Sequence, residues 1–285
     1  MTRTLGLVLH AHRPEIPELS ARLLAWAGVH DTVTRIVAPD AVLAGRPDLA
    51  VAPENFATGL DAVLSLGGDG TMLRAVDLVA ATGVPVFGVN AGQLGYLTEI
   101  DPAHLDDALD RWLRGDVAIE ERMMLEVCIE RAGRPAHRYL ALNEAVIEKA
   151  RSGHTIHLAV TIAGGFFTTY LADGIIVATP TGSTAYSFSA RGPIVEPDFA
   201  ALVMTPVAAH MIFDRSLVLA PTTEIRLVVG GYRDAAVAVD GQTKVQLAPG
   251  DAMVCRGAGQ RARILRLGDR NFHAVLKEKF GLSDR

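Results

Sequence analysis

The sequence predicts an α/β domain followed by a β-rich domain, and three observations carry that prediction. Through residues 1–100, short apolar runs alternate with amphipathic stretches of helical period, the pattern of a parallel sheet wound by crossover helices. From Val117 onward the texture changes to many short apolar runs separated by turn residues, which reads as sheets packed face to face. At 285 residues the chain is long for one core. Two domains are therefore expected, 1–100 and 101–269, with a C-terminal helix within 270–285 packing back on the first.

Taken in order, Leu5 to Leu9 reads as a first buried strand, and Ile16 to Trp26 as a helix with Ile16, Leu19, Leu23 and Trp26 on one side. Val33 to Val37 reads as a second strand closed by Pro39. Asp40 to Leu60 carries several turn formers and little periodicity, so it is expected to be a loop with room for a short helix. Ala62 to Leu66 is the next strand; a helix to about Ala81, a strand from Pro85 to Val89 and a helix from Pro102 to Arg114 follow. In the second half, strands are expected at 117–130, 139–149, 155–163, 166–171, 175–178, 201–204, 224–229, 235–239, 252–255 and 262–267, and a last helix at 271–280. There is no internal repeat.

The chain is organised around Gly67-Gly68-Asp69-Gly70-Thr71, which joins the Ala62 strand to an amphipathic helix. Three glycines in four residues let the backbone turn sharply and approach a ligand, while the helix start aims unpaired N–H groups at the same spot. That is a seat for phosphate. Asp69 is out of place beside bound phosphates unless it holds a metal or takes a proton, so it is the candidate catalytic residue. Two familiar phosphate loops do not fit. No Lys follows a Gly anywhere in the chain, which excludes a P-loop, and a dinucleotide fingerprint begun at Gly68 meets Leu73 where its third glycine belongs. Asn90 opens the loop after the next strand, Asn90-Ala91-Gly92-Gln93-Leu94-Gly95-Tyr96-Leu97, and would face the same ligand from the same edge.

Hydrophobic residues make up 49% and charged residues 21%, which excludes a disordered chain. Net charge is −5 and Lys and Arg are scattered, so nucleic acid is not an expected partner. The two cysteines, Cys128 and Cys255, lie too far apart for a metal clip and are expected in the core, and no residue is assigned as a metal ligand. Neither a signal peptide nor an apolar run of membrane-spanning length is present; a cytoplasmic protein without membrane contact is expected.

In the β-rich half, Asn143-Glu144 interrupts an apolar run, where an amide and a carboxylate would be costly unless they bind something. Asp173-Gly174 opens a strand. Then comes Thr179-Pro180-Thr181-Gly182-Ser183-Thr184-Ala185-Tyr186-Ser187-Phe188-Ser189, where seven of eleven side chains carry a hydroxyl. Such a loop, running into a helix, can grip a sugar, phosphate or amide while Tyr186 offers a flat face to a ring. Asp240-Gly241-Gln242 serves equally well as a plain hairpin or as part of a site, and His154 and His210 are lone histidines better read as structural.

In this order, from Leu64 to Leu267, the motifs resemble the NAD kinase family, ATP- or polyphosphate-dependent enzymes that make NADP. Gly-Gly-Asp-Gly-Thr is shared with phosphofructokinases and lipid kinases, whereas the block at Thr179–Ser189 is far more specific. The resemblance implies an N-terminal Rossmann-like α/β domain and a C-terminal β-sandwich-like domain, with the active site in the cleft between them. It implies that Asp69 is the proton acceptor, that Gly70 contacts NAD, and that Asn143 and Glu144 hold the acceptor nucleotide with Asp173 near its adenine and nicotinamide portions. Thr184, Ala185, Tyr186 and Ser189 would line the pocket, and Gln242 and His154 fall where the family places further contacts. It also implies ATP or polyphosphate as donor, Mg²⁺ or another divalent ion, and a homodimer or homotetramer. Two positions depart from the family pattern. Arg191 stands where a glycine commonly follows the Ser-rich helix, and Leu171-Ala172 precede Asp173 where some members carry a basic residue. Two other readings are a sugar or lipid kinase on the same glycine loop and a module that binds NAD or NADP without catalysis.

Overall fold

A computed structural model describes residues 2–92, 95–268 and 271–282. It divides into two compact units, Met1–Glu121 with Ala262–Arg285, and Arg122–Arg261. No described helix is long and apolar enough to cross a membrane.

The first unit runs β1 (Thr4–Leu9), α1 (Ile16–Val29), β2 (Val33–Val37), α2 (Ala38–Leu43), β3 (Ala50–Val51), α3 (Pro53–Phe56), β4 (Ala62–Gly67), α4 (Asp69–Val79), β5 (Val86–Asn90) and α5 (Leu105–Arg114). Its strands pair in parallel in the order β5-β4-β1-β2-β3. Every residue of β4 is buried, as expected of a parallel strand covered on both faces. Ile16, Leu19, Leu23 and Trp26 of α1 are buried, the same stripe the period predicts, and join one core with Leu7, Leu64, Phe87 and Trp112. Register fixes the site. Leu9 lies opposite Leu66 and Gly67 opposite Asn90, so the chain leaves β1, β4 and β5 along one edge of the sheet. The His10 N–H donates to the Leu66 carbonyl and the Ala91 N–H to that of Gly67, extending the ladder by one step.

The segment expected to be a loop from Asp40 to Leu60 is more ordered than that. Part of α2, a 3₁₀ turn at Pro47–Leu49, β3 and α3 occupy it. Pro39, Pro47 and Pro53 each stand in the first turn of one of these helices, where the missing N–H costs nothing and the fixed φ is already helical. Residues that read as breakers are openers, and Pro39 begins α2 besides closing β2.

The second unit is built from β6 (Ala118–Glu130), which enters it from the first, β7 (His137–Ala141), β8 (Glu144–Lys149), β9 (Ile156–Ile162), β10 (Gly165–Ala172), β11 (Gly174–Ala178), the single turn α6 (Tyr186–Ser189), β12 (Leu202–Val207), β13 (Leu217–Leu219), β14 (Ile225–Gly230), β15 (Ala235–Val239), β16 (Gln242–Leu247) and the start of β17 (Ala252–Arg266). One antiparallel sheet runs β13-β12-β11-β8-β15-β16. In the other, β10, β9, β14 and β17 pair in turn, and β6 pairs with β7 and β17. Alternate residues of β14 and β15 are buried, and inward side chains of both sheets, including Ile147, Val177, Leu158, Tyr170 and Leu227, form one core.

Three expectations change. The run at 139–149 is two strands, β7 and β8, broken at Leu142-Asn143. The runs at 252–255 and 262–267 are a single strand, β17, whose middle, Arg256 to Arg261, is exposed or half-buried throughout and hides its continuity from any hydrophobic pattern. Two strands escaped notice, β13 because it has three residues and β16 because it is a polar edge strand. The last described helix is α7 (Phe272–Lys279), capped by the Asn271 side chain. Phe272 packs 6.4 Å from the ring of Tyr96, and Lys279 Nζ lies 4.4 Å over the same ring.

Candidate active site

In the first unit the glycine loop starts α4. A side chain at Gly67 would collide with Thr71 Oγ1, so the close turn requires glycine there. Asp69, the first residue of α4, turns its carboxylate onto the loop that follows Asn90. Tyr96 N–H donates to Oδ2 at 2.7 Å, while Leu97 N–H, Thr98 N–H and the Thr98 hydroxyl donate to Oδ1 at 3.0, 3.2 and 3.3 Å. Gly95 is packed so closely against Oδ1 that no side chain would fit. Gln93 and Leu94 of this loop lie outside the described residues. Asn90 is brought to the same edge, and its Oδ1 is buried without a partner.

Gly68, Asp69, Gly70 and Thr71 line a cavity of about 480 Å³ together with His10, Arg13 and Arg74. These three basic residues were not singled out from the sequence. Arg13 donates through Nη1 to the Ala91 carbonyl, and its Nε is buried without a partner. Arg74 donates through Nη2 to the Leu9 carbonyl at 2.7 Å and to Asp40 Oδ2, which also accepts the Leu9 N–H at 2.6 Å. Burial raises the Asp40 carboxyl above its ordinary value, against the Leu9 N–H and Arg74, which lower it. Burial, then the charges of Arg13, His12 and Arg74, push His10 below its ordinary value. The cavity therefore offers fixed cations, a helix start and one acid, the components of a phosphate site. A signal was available: Arg13 follows the end of β1 and Arg74 stands in the second turn of α4, both near strand ends where an α/β sheet binds ligands.

In the second unit the structure gathers Asn143, Glu144, Asp173 and Tyr186. Asn143 and Glu144 are 9% and 6% exposed, and Asn143 Oδ1 and Glu144 Oε2 are buried without partners. Burial, and then the charge of Asp240, push the Glu144 carboxyl up to about 8, against the Tyr186 N–H that lowers it. Burial and the charges of Glu148, Asp173 and Glu144 raise the Tyr186 phenol, with Lys149 opposing them. Asp173 is paired with Lys149 at 2.7 Å.

The hydroxyl-rich block divides into two kinds of residue. Thr179, Ser183 and Ser187 are fully buried and structural. Thr179 Oγ1 donates to the Leu142 carbonyl at 2.5 Å, Ser183 Oγ donates to the Val195 carbonyl at 3.1 Å, and Ser187 shares a hydrogen bond with Thr205, which shares another with Ser216. Thr184 and Ala185 are half-buried, while Tyr186 and Ser189 are exposed on the surface that the block presents. His154 lines a different cavity, of about 420 Å³, with Arg151, Arg233 and Lys149, the last being the partner of Asp173. Gln242 begins β16, and its side chain accepts from Lys244. Among the described residues no group of three or more His, Cys, Asp or Glu could hold a metal ion.

Comparison with known proteins gives these groups a context. A family model described as the ATP-NAD kinase N-terminal domain matches residues 5–117, and one described as the ATP-NAD kinase C-terminal domain matches residues 142–267. The NAD kinase of Heliobacterium modesticaldum is 39% identical over 282 residues, covering 97% of this chain and 98% of that protein. That of Symbiobacterium thermophilum is 44% identical over 237 residues, covering 82% and 83%. Among solved structures, a yeast NADH kinase complexed with NADH is similar with a TM-score of 0.92 at 23% identity, covering 100% of this chain and 89% of that one. An Archaeoglobus fulgidus NAD kinase in complex with ATP is similar with a TM-score of 0.76 at 22% identity, covering 98% and 100%. At such identities the two structures speak for the fold.

Proposed function

The chain belongs to the NAD kinase family, and from that premise we propose that it moves the terminal phosphoryl group of ATP or polyphosphate to the 2′-hydroxyl of the adenosine ribose of NAD, giving NADP. Asp69 takes the hydroxyl proton. Its Oδ1 is filled by three donors, whereas Oδ2 has one described donor and keeps a lone pair for a substrate O–H. The donor phosphates rest on the amides at the start of α4, with Arg13 and Arg74 supplying the positive charge that a Walker lysine supplies elsewhere. The phosphate cavity has one acid and no cluster of metal ligands among the described residues. This suits a divalent ion such as Mg²⁺ carried on the donor's own phosphates, where it would neutralise developing charge.

The acceptor nucleotide is held by Asn143, Glu144, Asp173, Thr184, Ala185, Tyr186 and Ser189, with His154 and Gln242 as outlying contacts. The observation that carries this assignment is the pair of buried oxygens without partners, Asn143 Oδ1 and Glu144 Oε2. Buried polar atoms are almost always satisfied, and adjacent at the start of β8 these two await a ligand's donors or acceptors. The chain works as a homodimer or homotetramer in the cytoplasm, where its unpaired Cys128 and Cys255 are at home.

The test is NADP formation measured with ATP or polyphosphate as donor and NAD or NADH as acceptor, beside fructose 6-phosphate and diacylglycerol. NADP from NAD and ATP or polyphosphate is the expected result. Phosphorylation of the sugar or the lipid instead, or calorimetric NAD binding with no product under any donor, would overturn it.

A further inference from the structure

One half-buried acid in the second unit, Asp240, has no role in the chemistry above. With Gly241 it forms the two-residue turn between β15 and β16; both residues have positive φ, 46° and 74°, and Val239 pairs with Gln242 across the turn. Such a turn is made as well by Asn-Gly as by Asp-Gly, so the hairpin alone does not call for a charge. The charge is used elsewhere. Oδ2 accepts the Leu142 N–H at 2.7 Å, and Oδ1 accepts the N–H groups of Asn143 and Glu144 at 2.8 and 3.1 Å. The Asp240 N–H in turn donates to the Glu144 carbonyl at 3.0 Å.

These contacts explain why the strand breaks between β7 and β8: three successive N–H groups point at one carboxylate. Thr179 holds two of the same residues by their carbonyls, its N–H donating to that of Asn143 and its hydroxyl to that of Leu142. A carboxylate beside Glu144 also disfavours a second negative charge there, so Asp240 carries an electrostatic cost that the hairpin does not require.

We propose that Asp240 is a positioning residue for the acceptor nucleotide: its carboxylate clamps the Leu142–Glu144 backbone and so aims the side-chain oxygens of Asn143 and Glu144 at the bound nucleotide. The proposal rests on the assignment of those two residues as NAD contacts. Misplacing such contacts by an ångström weakens binding of that ligand alone, whereas a general loss of folded protein lowers turnover without moving either KM.

The experiment is steady-state kinetics of full-length Asp240→Asn and Asn143→Ala, with NAD and ATP varied separately. Asp240→Asn keeps the turn but sets an NH₂ against a backbone N–H. Its NAD KM is expected to rise about tenfold or more, its ATP KM to stay within about twofold and its kcat within about threefold. Asn143→Ala is expected to raise the NAD KM as well. A folded Asp240→Asn enzyme with native NAD KM, beside an Asn143→Ala enzyme with a raised one, overturns the positioning role. If Asn143→Ala also leaves the NAD KM unchanged, the assignment of Asn143 falls and the proposal falls with it. Should Asp240→Asn not fold, Asp240→Glu is read in the same way. Hydrogen exchange on the wild-type protein then gives an independent measurement: rapid exchange of the Leu142, Asn143 and Glu144 amides would overturn the clamp.

Discussion

Glu144 and Asp69 show how differently two carboxyl groups can be used. Glu144, buried beside Asp240, keeps its proton to about pH 8, against an ordinary value of 4.5. Between those values the folded chain binds a proton that the unfolded chain has released, so stability is greatest below the lower value and is lost as pH rises through the upper one. Glu144→Gln removes the titration. Its melting temperature is expected to fall less between pH 5 and pH 8.5 than that of the wild type; parallel curves would mean that Glu144 is ionised throughout. Asp69 is surrounded by donors, and its substitution acts twice, removing the proton acceptor and releasing residues 96–98. Asp69→Asn is expected to cut turnover by about 10²–10⁴-fold, the usual contribution of a general base, while calorimetry still shows NAD binding. Turnover near the native rate would remove Asp69 from the mechanism.

Among the elements, the segment that follows α6 carries a local tension. Arg191, two residues beyond α6, has φ of 68°, the left-handed region, at the position where the resemblance led glycine to be expected. A side chain in that conformation costs roughly 1–2 kcal/mol, so Arg191→Gly is expected to stabilise the chain by about 1 kcal/mol after the extra freedom of glycine in the unfolded state is subtracted. Chemical denaturation measures this directly, and no gain would mean that the guanidinium makes a compensating contact. The departure was visible in the sequence, but its cost was not, because backbone angle leaves no mark on composition. The same limit explains the elements misjudged. Strands with one apolar face, such as β14, could be read from period and β4 from its apolar run, as could the stripe on α1 from its helical period. What escaped was set by partners distant in sequence: the break at Leu142-Asn143 depends on Asp240, and the continuity of β17 through Arg256–Arg261 is held in part by ion pairing of Arg256 with Glu126. The site followed the same rule. Asp69, Asn143, Glu144 and Tyr186 announced themselves as polar residues in places that punish polarity, whereas Arg13 and Arg74 looked like ordinary surface cations until the register of β1 with β4 carried them to the glycine loop.

At the scale of the whole molecule, the second unit leaves an apolar surface uncovered. β10 is the outer strand of its sheet, and apart from the His210 N–H that donates to the Leu171 carbonyl no described strand pairs with its outer side. It carries Phe166 largely in solvent and Phe167 partly so, and Phe167 meets Phe213 edge to face at 5.7 Å beside the fully exposed Ile212. Large apolar side chains seldom gather at an open strand edge without a partner, because both the apolar surface and the free part of the ladder favour association. A second copy of the same chain answers both demands, supplying an apolar face for the rings and a strand edge for the ladder. Phe166→Asp combined with Ile212→Asp places two charges on that surface and touches none of the residues assigned to catalysis or nucleotide binding. The wild type is expected to run in light scattering as a multiple of one chain and the double variant as a smaller species. A double variant of unchanged mass would move the interface to another surface, and a monomeric wild type would leave the exposed rings to some other partner.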